Sequence, residues 1–126
     1  MKIFSILCLM TSVLFIFLFF LLFLGPESFV KDMGLEPSVS TSVLARRASM
    51  FMLGISVLLF CSRSLPHSRA RQFIALSTGI TMIGLACTGI YEHSMGTVNS
   101  SIFIAIAIES VSGASFLILF FKGQSR

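Results

Sequence analysis

The stretch SIFIAIAIESVSGASFLILFFK, residues Ser101–Lys122, decides the fold of this chain. It is an apolar run of membrane-crossing length, since about 20 apolar residues in a helix span the hydrocarbon core of a bilayer. One carboxylate, Glu109, lies near its middle. An acid at that depth costs roughly 2.5–3.5 kcal/mol to insert, and such residues usually face the interior of a helix bundle. The run therefore predicts a transmembrane helix with an inward-facing acid.

The composition of the whole chain agrees with a membrane protein. Hydrophobic residues make up 56% of its 126 residues, and charged residues make up only 11%. A soluble domain this small would need more polar surface than that. The net charge of +4 comes from basic residues at the ends of apolar runs, where positive charge is first a topology signal. We therefore expect membrane lipids as partners and no nucleic acid.

Three further apolar runs predict three further spans. The run after Lys2 is longer than the 7–15 apolar residues of a signal peptide, so we interpret it as a retained helix. Pro26 suits the first position of a helix and Gly34 a left-handed stop, which predicts a short interfacial helix over 26–33. A lid over a cavity and a simple spacer are the alternatives for this segment. The prediction is a single all-α domain, 1–126, an integral membrane four-helix bundle with spans at about 3–24, 43–62, 72–91 and 101–122.

The third predicted span carries a polar stripe. Ser77, Thr81, Gly84 and Thr88 follow one another at spacings of four, three and four residues, so they share one helical face. Small and hydroxyl-bearing residues in this pattern allow close helix approach and interhelical hydrogen bonds. The stripe is therefore interpreted either as a packing seam or as the lining of a polar pocket.

Small residues accompany Glu109 on the last span. Ala105 lies four residues before it and Gly113 four residues after it, so the three share one helical face, and Ser112 lies beside them. This face is expected to pack inward. The sequence predicts that Glu109 belongs to the polar centre of the bundle.

Two arginines, Arg46 and Arg47, lie one turn inside the second predicted span. Either both snorkel to the interface, or one of them turns inward. By residue count, Arg47 lies about 7 Å nearer the outer end of the bundle than Glu109. An arginine side chain reaches that far. We therefore hypothesise a buried Arg47–Glu109 pair, with Arg46 and the hydroxyls of the third span nearby.

The distribution of basic residues predicts the orientation. Six of them lie on the side of the termini and the 63–71 loop, against three on the other side. This bias favours both termini in the cytoplasm. The outer rim of the bundle then holds Tyr91, Glu92 and His93.

No metal site or cofactor is predicted. A metal site needs closely grouped ligands, whereas His67 and His93 lie in different predicted loops. The cysteines Cys8, Cys61 and Cys87 lie in or beside apolar runs without a CxxC pair. We interpret them as buried free thiols.

The pattern as a whole resembles a known group of proteins. A first span ends in Gly25-Pro26, Arg47 enters a second span with Gly54 in its interior, and the last span contains Glu109-Ser-Val-Ser-Gly113. This is similar to small bacterial four-span membrane proteins of a domain-of-unknown-function family, and more distantly to DoxX-like proteins. The resemblance implies a four-helix bundle in a bacterial cytoplasmic membrane, and it implies no substrate.

Several functions agree with these features. The first is a binding or accessory module for a lipid-like or small apolar ligand, or for a larger membrane partner, because a single polar centre in an apolar bundle can orient a ligand. The second is a homo-oligomeric, proton-coupled small transporter or channel that uses Glu109. An enzyme is the third and least supported, since no residue spacing specifies a reaction class. The protein would act as a homo-oligomer or as a subunit of a membrane complex.

Overall fold

The computed structural model describes residues 2–124, which form five α-helices and no strand. Within this range, four helices are long and apolar enough to cross a membrane, and the short second helix is not. The predicted all-α architecture, with a short helix between the first and second spans, is confirmed. The chain is a multi-pass membrane protein. The helices are α1 (Lys2–Leu24), α2 (Pro26–Asp32), α3 (Val39–Ser62), α4 (Arg69–Ser94) and α5 (Ile102–Gln124).

Two helices begin earlier than the apolar pattern predicts, because serine caps start them. The Ser38 hydroxyl accepts from the Thr41 amide at 3.1 Å, and the Ser38 amide donates to the Thr41 hydroxyl at 2.9 Å. This reciprocal capping box starts α3 at Val39, four residues before the predicted span. At α4 the Ser68 hydroxyl accepts from the Arg71 amide at 3.3 Å, a cap without the reciprocal bond.

The helix α4 also continues past the predicted end of its span, to Ser94. Glu92 and His93 therefore belong to its last turn, and their prediction as loop residues was wrong. The amides of Met95 and Gly96 then close the helix end on the carbonyls of Tyr91 and His93, each at 3.0 Å.

The long helices pack as helix pairs. α1 packs along α3, α4 packs along α5, and the pairs meet mainly where α1 contacts α5. At this contact the rings of Phe4 and Phe116 meet edge to face, with centroids 6.5 Å apart. Both rings are completely buried, together with Cys8 and Leu59. The apolar core therefore lies at the end of the bundle opposite α2.

Serines form the seam between α1 and α3. Ser42, Ser49 and Ser56 recur every seven residues on α3, and all are buried. Ser56 exchanges hydrogen bonds with Ser12 of α1. Small side chains allow the helix backbones to approach closely. The Ser49 hydroxyl donates to the Arg46 carbonyl of its own helix, and the Ser42 hydroxyl is buried without a hydrogen-bond partner among the described residues.

Glycines form the seam between α4 and α5. A Cβ atom at Gly79 would lie 2.8 Å from Leu117, and one at Gly89 would lie 2.9 Å from Ile106. On the facing helix, a Cβ atom at Gly113 would lie 2.8 Å from the Ile83 side chain. The side chains of each helix therefore fill the space that the glycines of the other leave open.

The seam on α4 does not use the predicted polar stripe. Ser77, Thr81 and Gly84 are exposed, and nothing lies within 4 Å of a Cβ atom placed on Gly84. The hydroxyls do not need a neighbouring helix, because Thr81 donates to the Ser77 carbonyl at 2.9 Å within its own helix. Interpreting these residues as the packing seam was therefore wrong.

Candidate functional site: a cavity between the helix pairs

A cavity of about 560 Å³ lies between the α1–α3 pair and the α4–α5 pair, at the end nearest α2. Each pair closes along its own seam, and at this end a space remains between the pairs. Apolar side chains from every helix form most of the lining, among them Leu14, Met52, Leu85 and Ile108. Its size falls within the range of about 300–1,000 Å³ that is usual for small-molecule pockets.

The short helix α2 covers the outer end of this cavity. Phe29 and Met33 point into the lining, while Val30 is 7% exposed. Gly34 ends the segment with a φ of 82°, the left-handed conformation predicted from the sequence. The geometry thus favours a cover over a cavity rather than a simple spacer.

Hydrogen bonds from the α4–α5 loop hold α2 in place. The Asn99 side-chain amide donates to the Asp32 carbonyl at 2.9 Å, and the Asn99 backbone amide donates to the Met33 carbonyl at 3.0 Å. The Ser101 hydroxyl donates to the same Asp32 carbonyl at 3.2 Å. These bonds join the two helix pairs through α2. No local pattern in the sequence indicates them, because the partners lie 67 and 69 residues apart.

The charged groups in the cavity lining are both carboxyl groups, Glu109 on α5 and Glu92 on α4. Both side chains are half-buried, with Glu92 nearer the α2 end. Within residues 2–124, Glu109 makes no ion pair and no side-chain hydrogen bond. No Lys, Arg or His of this described range lines the cavity. An apolar cavity thus contains a carboxyl group without a protein partner.

The structure does not bring Arg47 to Glu109. Arg46 and Arg47 are exposed on α3, and neither lines the cavity. The contacts of Ser12 with Ser56 and of Phe4 with Phe116 fix the relative depths of the helices. Counted from these contacts, Arg47 lies about ten residues, or roughly 15 Å, from the level of Glu109.

The hypothesis of the buried Arg47–Glu109 pair assumed that the second and last spans begin at the same depth in the membrane. Counted from the same contacts, α5 begins about six residues below the end of α1, since α2 and the Asn99 loop occupy the space above it. The arginines remain above, where long side chains reach the membrane interface. The pair is therefore not formed in this structure.

The other predicted site residues are divided between the cavity and the surface. Thr88 lines the cavity, whereas Ser77 and Thr81 are exposed outside it. The Thr88 hydroxyl donates to the Leu85 carbonyl at 2.8 Å. Ser112 is half-buried on α5 without reaching the lining.

The three residues of the predicted outer rim lie in different environments. Tyr91 is exposed, and Glu92 faces the cavity. The ring of His93 packs edge to face on Phe103, with centroids 4.4 Å apart, and its Nδ1 atom is buried without a hydrogen-bond partner. Cys8 is buried, as predicted. Cys61 and Cys87 are exposed, so their prediction as buried thiols was wrong.

Comparisons with protein-family models, with curated proteins and with solved structures find no match to this chain. The resemblance to small bacterial four-span proteins therefore remains a prediction.

Proposed function

We propose that this protein binds a lipid-like or small apolar ligand in the cavity between its helix pairs, with Glu109 holding the ligand's polar group. One observation carries the proposal: an apolar cavity of about 560 Å³ contains the Glu109 carboxyl group, and no side chain within residues 2–124 is paired with it. Pockets that bind small molecules combine apolar walls with a few polar groups that orient the ligand.

The carboxyl group limits the chemistry of the ligand. An ionised carboxylate only accepts hydrogen bonds, whereas a protonated carboxyl group both donates and accepts, so a ligand group that donates, such as a hydroxyl or an amine, suits either state. A bound donor would give the half-buried Glu109 carboxyl group a hydrogen-bond partner that no side chain within residues 2–124 supplies. Glu92, nearer α2, provides a second acceptor for a longer polar group.

The proposed location is a bacterial cytoplasmic membrane with both termini in the cytoplasm. The bias of basic residues toward the terminal side supports this orientation. Apolar ligands would enter from the lipid phase, because the cavity opens between spans. The protein would act alone, as a homo-oligomer, or as an accessory subunit of a membrane complex.

Native mass spectrometry of the protein extracted with its own lipids tests this function. We expect the wild type to retain a discrete bound mass and Glu109→Gln to retain much less of it. Gln keeps the size of the side chain, but replaces one of its acceptor oxygens with a donating NH₂ group. Ser112→Ala, on the same helix but outside the lining, is the matched control. Equal retention by the wild type and Glu109→Gln would contradict a role for Glu109 in binding.

A proton-coupled transporter or channel is the alternative. The same unpaired intramembrane carboxyl supports it, because such residues are used in proton relays. A homo-oligomer would then be required to complete a pathway. A defined multimer with no bound mass, and proton flux into vesicles that Glu109→Gln abolishes, would favour this alternative over ligand binding.

A further inference from the structure

A second, smaller cavity of about 190 Å³ lies at the opposite end of the bundle, where α1 and α4 begin and α5 ends. The polar residues of its lining are His67, Arg71, Gln72 and Lys122. Ile3, Phe4, Ala75 and Leu119 form its apolar lining. This cavity shares no residue with the one that contains Glu109.

No acidic side chain of the sequence lies near this second cavity. The chain has five acids, and they lie in the α2 region and in the lining of the larger cavity: Glu27, Asp32, Glu36, Glu92 and Glu109. By contrast, Lys2, Arg63 and Arg69 all belong to the same end of the bundle as the second cavity. The electrostatic potential at this end is therefore positive and attracts anions.

Arg71 is the cation best placed to meet an anion. Its guanidinium lies 4.3 Å above the centre of the Phe4 ring, and within residues 2–124 it makes no ion pair and no side-chain hydrogen bond. The neighbouring Arg63 differs, because its Nη1 atom donates to the Phe60 carbonyl at 3.1 Å. The cation–π contact with Phe4 holds the Arg71 guanidinium at this position and uses none of its N–H donors.

The walls of this cavity are held together by Gln72. Its Nε2 atom donates to the Gly123 carbonyl at 2.8 Å, which joins the start of α4 to the end of α5. A Cβ atom at Gly123 would lie 2.9 Å from the same Nε2 atom, so the end of the Gln72 side chain would have to shift if a larger residue stood there. The site is thus built before any ligand arrives.

We propose that this cavity binds the phosphate group of an anionic molecule, and that a phospholipid head group is its source in the membrane. Arg71 would form charge-assisted hydrogen bonds with the phosphate oxygens, in the paired geometry that guanidinium allows. The apolar lining on α1 and α5 continues into the spans, where acyl chains would lie. Basic pockets between spans are known to suit anionic head groups. This inference is independent of the ligand proposed for the Glu109 cavity.

The test is native mass spectrometry of the full chain in detergent with phosphatidylglycerol and phosphatidylcholine supplied in equal amounts. We expect the wild type to retain phosphatidylglycerol preferentially and Arg71→Gln to retain it about tenfold less. Arg69→Gln, which removes the same charge two residues away outside the lining, should behave as the wild type. Arg71→Lys keeps the charge near Phe4 and should recover part of the preference, which separates binding from misfolding.

A second arm identifies the source of the phosphate. Inorganic phosphate is added without lipid, and the thermal stability of wild type and Arg71→Gln is compared. Stabilisation of the wild type alone, without a preference for phosphatidylglycerol, would support the phosphate site with a soluble anion as its ligand. Equal loss of lipid in Arg69→Gln and Arg71→Gln would overturn the proposal, since it would indicate diffuse attraction to a basic surface. An unchanged preference in Arg71→Gln would overturn it as well.

Discussion

Ser12 of α1 and Ser56 of α3 donate hydrogen bonds to each other's backbone carbonyls, both at 2.8 Å, and their hydroxyl oxygens lie 3.1 Å apart. Both residues are almost fully buried. Each hydroxyl therefore has an acceptor on the neighbouring helix, and none is left facing hydrocarbon. This reciprocal contact fixes the register of α1 against α3.

Removing either hydroxyl should weaken the pair. We expect Ser12→Ala and Ser56→Ala each to lower the free energy of unfolding by about 0.5–1.5 kcal/mol, the range measured for interhelical hydrogen bonds in membranes. The double variant should lose less than the sum of the single losses, because the hydroxyls act on each other. Unfolding in mixed detergent measures these values, with exposed Ser77→Ala as the control. Unchanged stability in both single variants would contradict these hydrogen bonds, whereas strictly additive losses would show that the 3.1 Å contact between the hydroxyl oxygens adds nothing to the two bonds to backbone carbonyls, which alanine leaves in place.

A methyl group at Gly113 should push α4 and α5 apart. A Cβ atom there would lie 2.8 Å from Ile83 Cγ1 and 3.1 Å from the Ile83 backbone nitrogen, so rotation of the side chain alone cannot relieve the contact. We expect Gly113→Ala to destabilise the protein by about 1–3 kcal/mol. Gly84→Ala is the control, because nothing lies within 4 Å of its Cβ position. Thermal unfolding compares the two, and equal midpoints would contradict the close approach at Gly113.

Filling the larger cavity should displace its ligand. Ala105 lines the cavity and Ala107 lies exposed on the same helix, outside the lining. We expect Ala105→Leu to reduce the bound mass in native mass spectrometry, because the added methylenes occupy ligand space. Ala107→Leu adds the same volume to the outer surface and should leave the bound mass unchanged. Similar retention by both variants would show that the ligand binds elsewhere.

Loss of the Asn99 side chain should loosen the cover formed by α2. Asn99→Ala removes the 2.9 Å hydrogen bond to the Asp32 carbonyl and the Oδ1 atom that accepts from the Ser101 amide and hydroxyl, but it leaves the backbone bond to Met33. A bond worth about 1 kcal/mol corresponds to roughly fivefold faster amide exchange over residues 26–33. Hydrogen–deuterium exchange with mass spectrometry measures this rate. Ser100→Ala, at the neighbouring exposed position, is the control, and faster exchange in both variants would indicate a general loosening of the loop.

Cysteine labelling tests the proposed orientation, in which both termini lie in the cytoplasm. In a chain whose native cysteines are replaced, Thr97→Cys lies in the α4–α5 loop and Ser64→Cys in the α3–α4 loop, both exposed. We expect a membrane-impermeant maleimide to label Thr97→Cys in intact cells, and Ser64→Cys only after permeabilisation. The reverse pattern would place the termini outside the cytoplasm.

Much of the fold follows from local features of the sequence. A long apolar run must form a helix in lipid, because no water is present to satisfy its backbone groups. The runs of the predicted spans therefore became α1, α3, α4 and α5, with ends shifted by the caps at Ser38 and Ser68. The short helix α2 and its left-handed end at Gly34 were likewise predictable, since proline and glycine determine the backbone conformation at their own positions.

The position of Glu109 could be predicted only in part. Its neighbours Ala105 and Gly113 indicated an inward face, and the structure places that face against the cavity and against α4. Its proposed partner Arg47 depended on the relative depth of two helices, which no local pattern contains. Depth is set where helices touch, at Ser12 with Ser56 and at Phe4 with Phe116.

The sequence by itself determined which segments are helices and where they begin and end to within a few residues. Only the tertiary structure decided which face of each helix packs. α4 carries two stripes of small residues, one through Ser77 and Thr81 and one through Gly79 and Gly89, and both satisfy the same periodicity. The glycine stripe was selected because side chains of α5 fit into it, while the hydroxyls of the other bond to their own helix. Shape complementarity between two surfaces is a property of the pair, and neither sequence segment contains it alone.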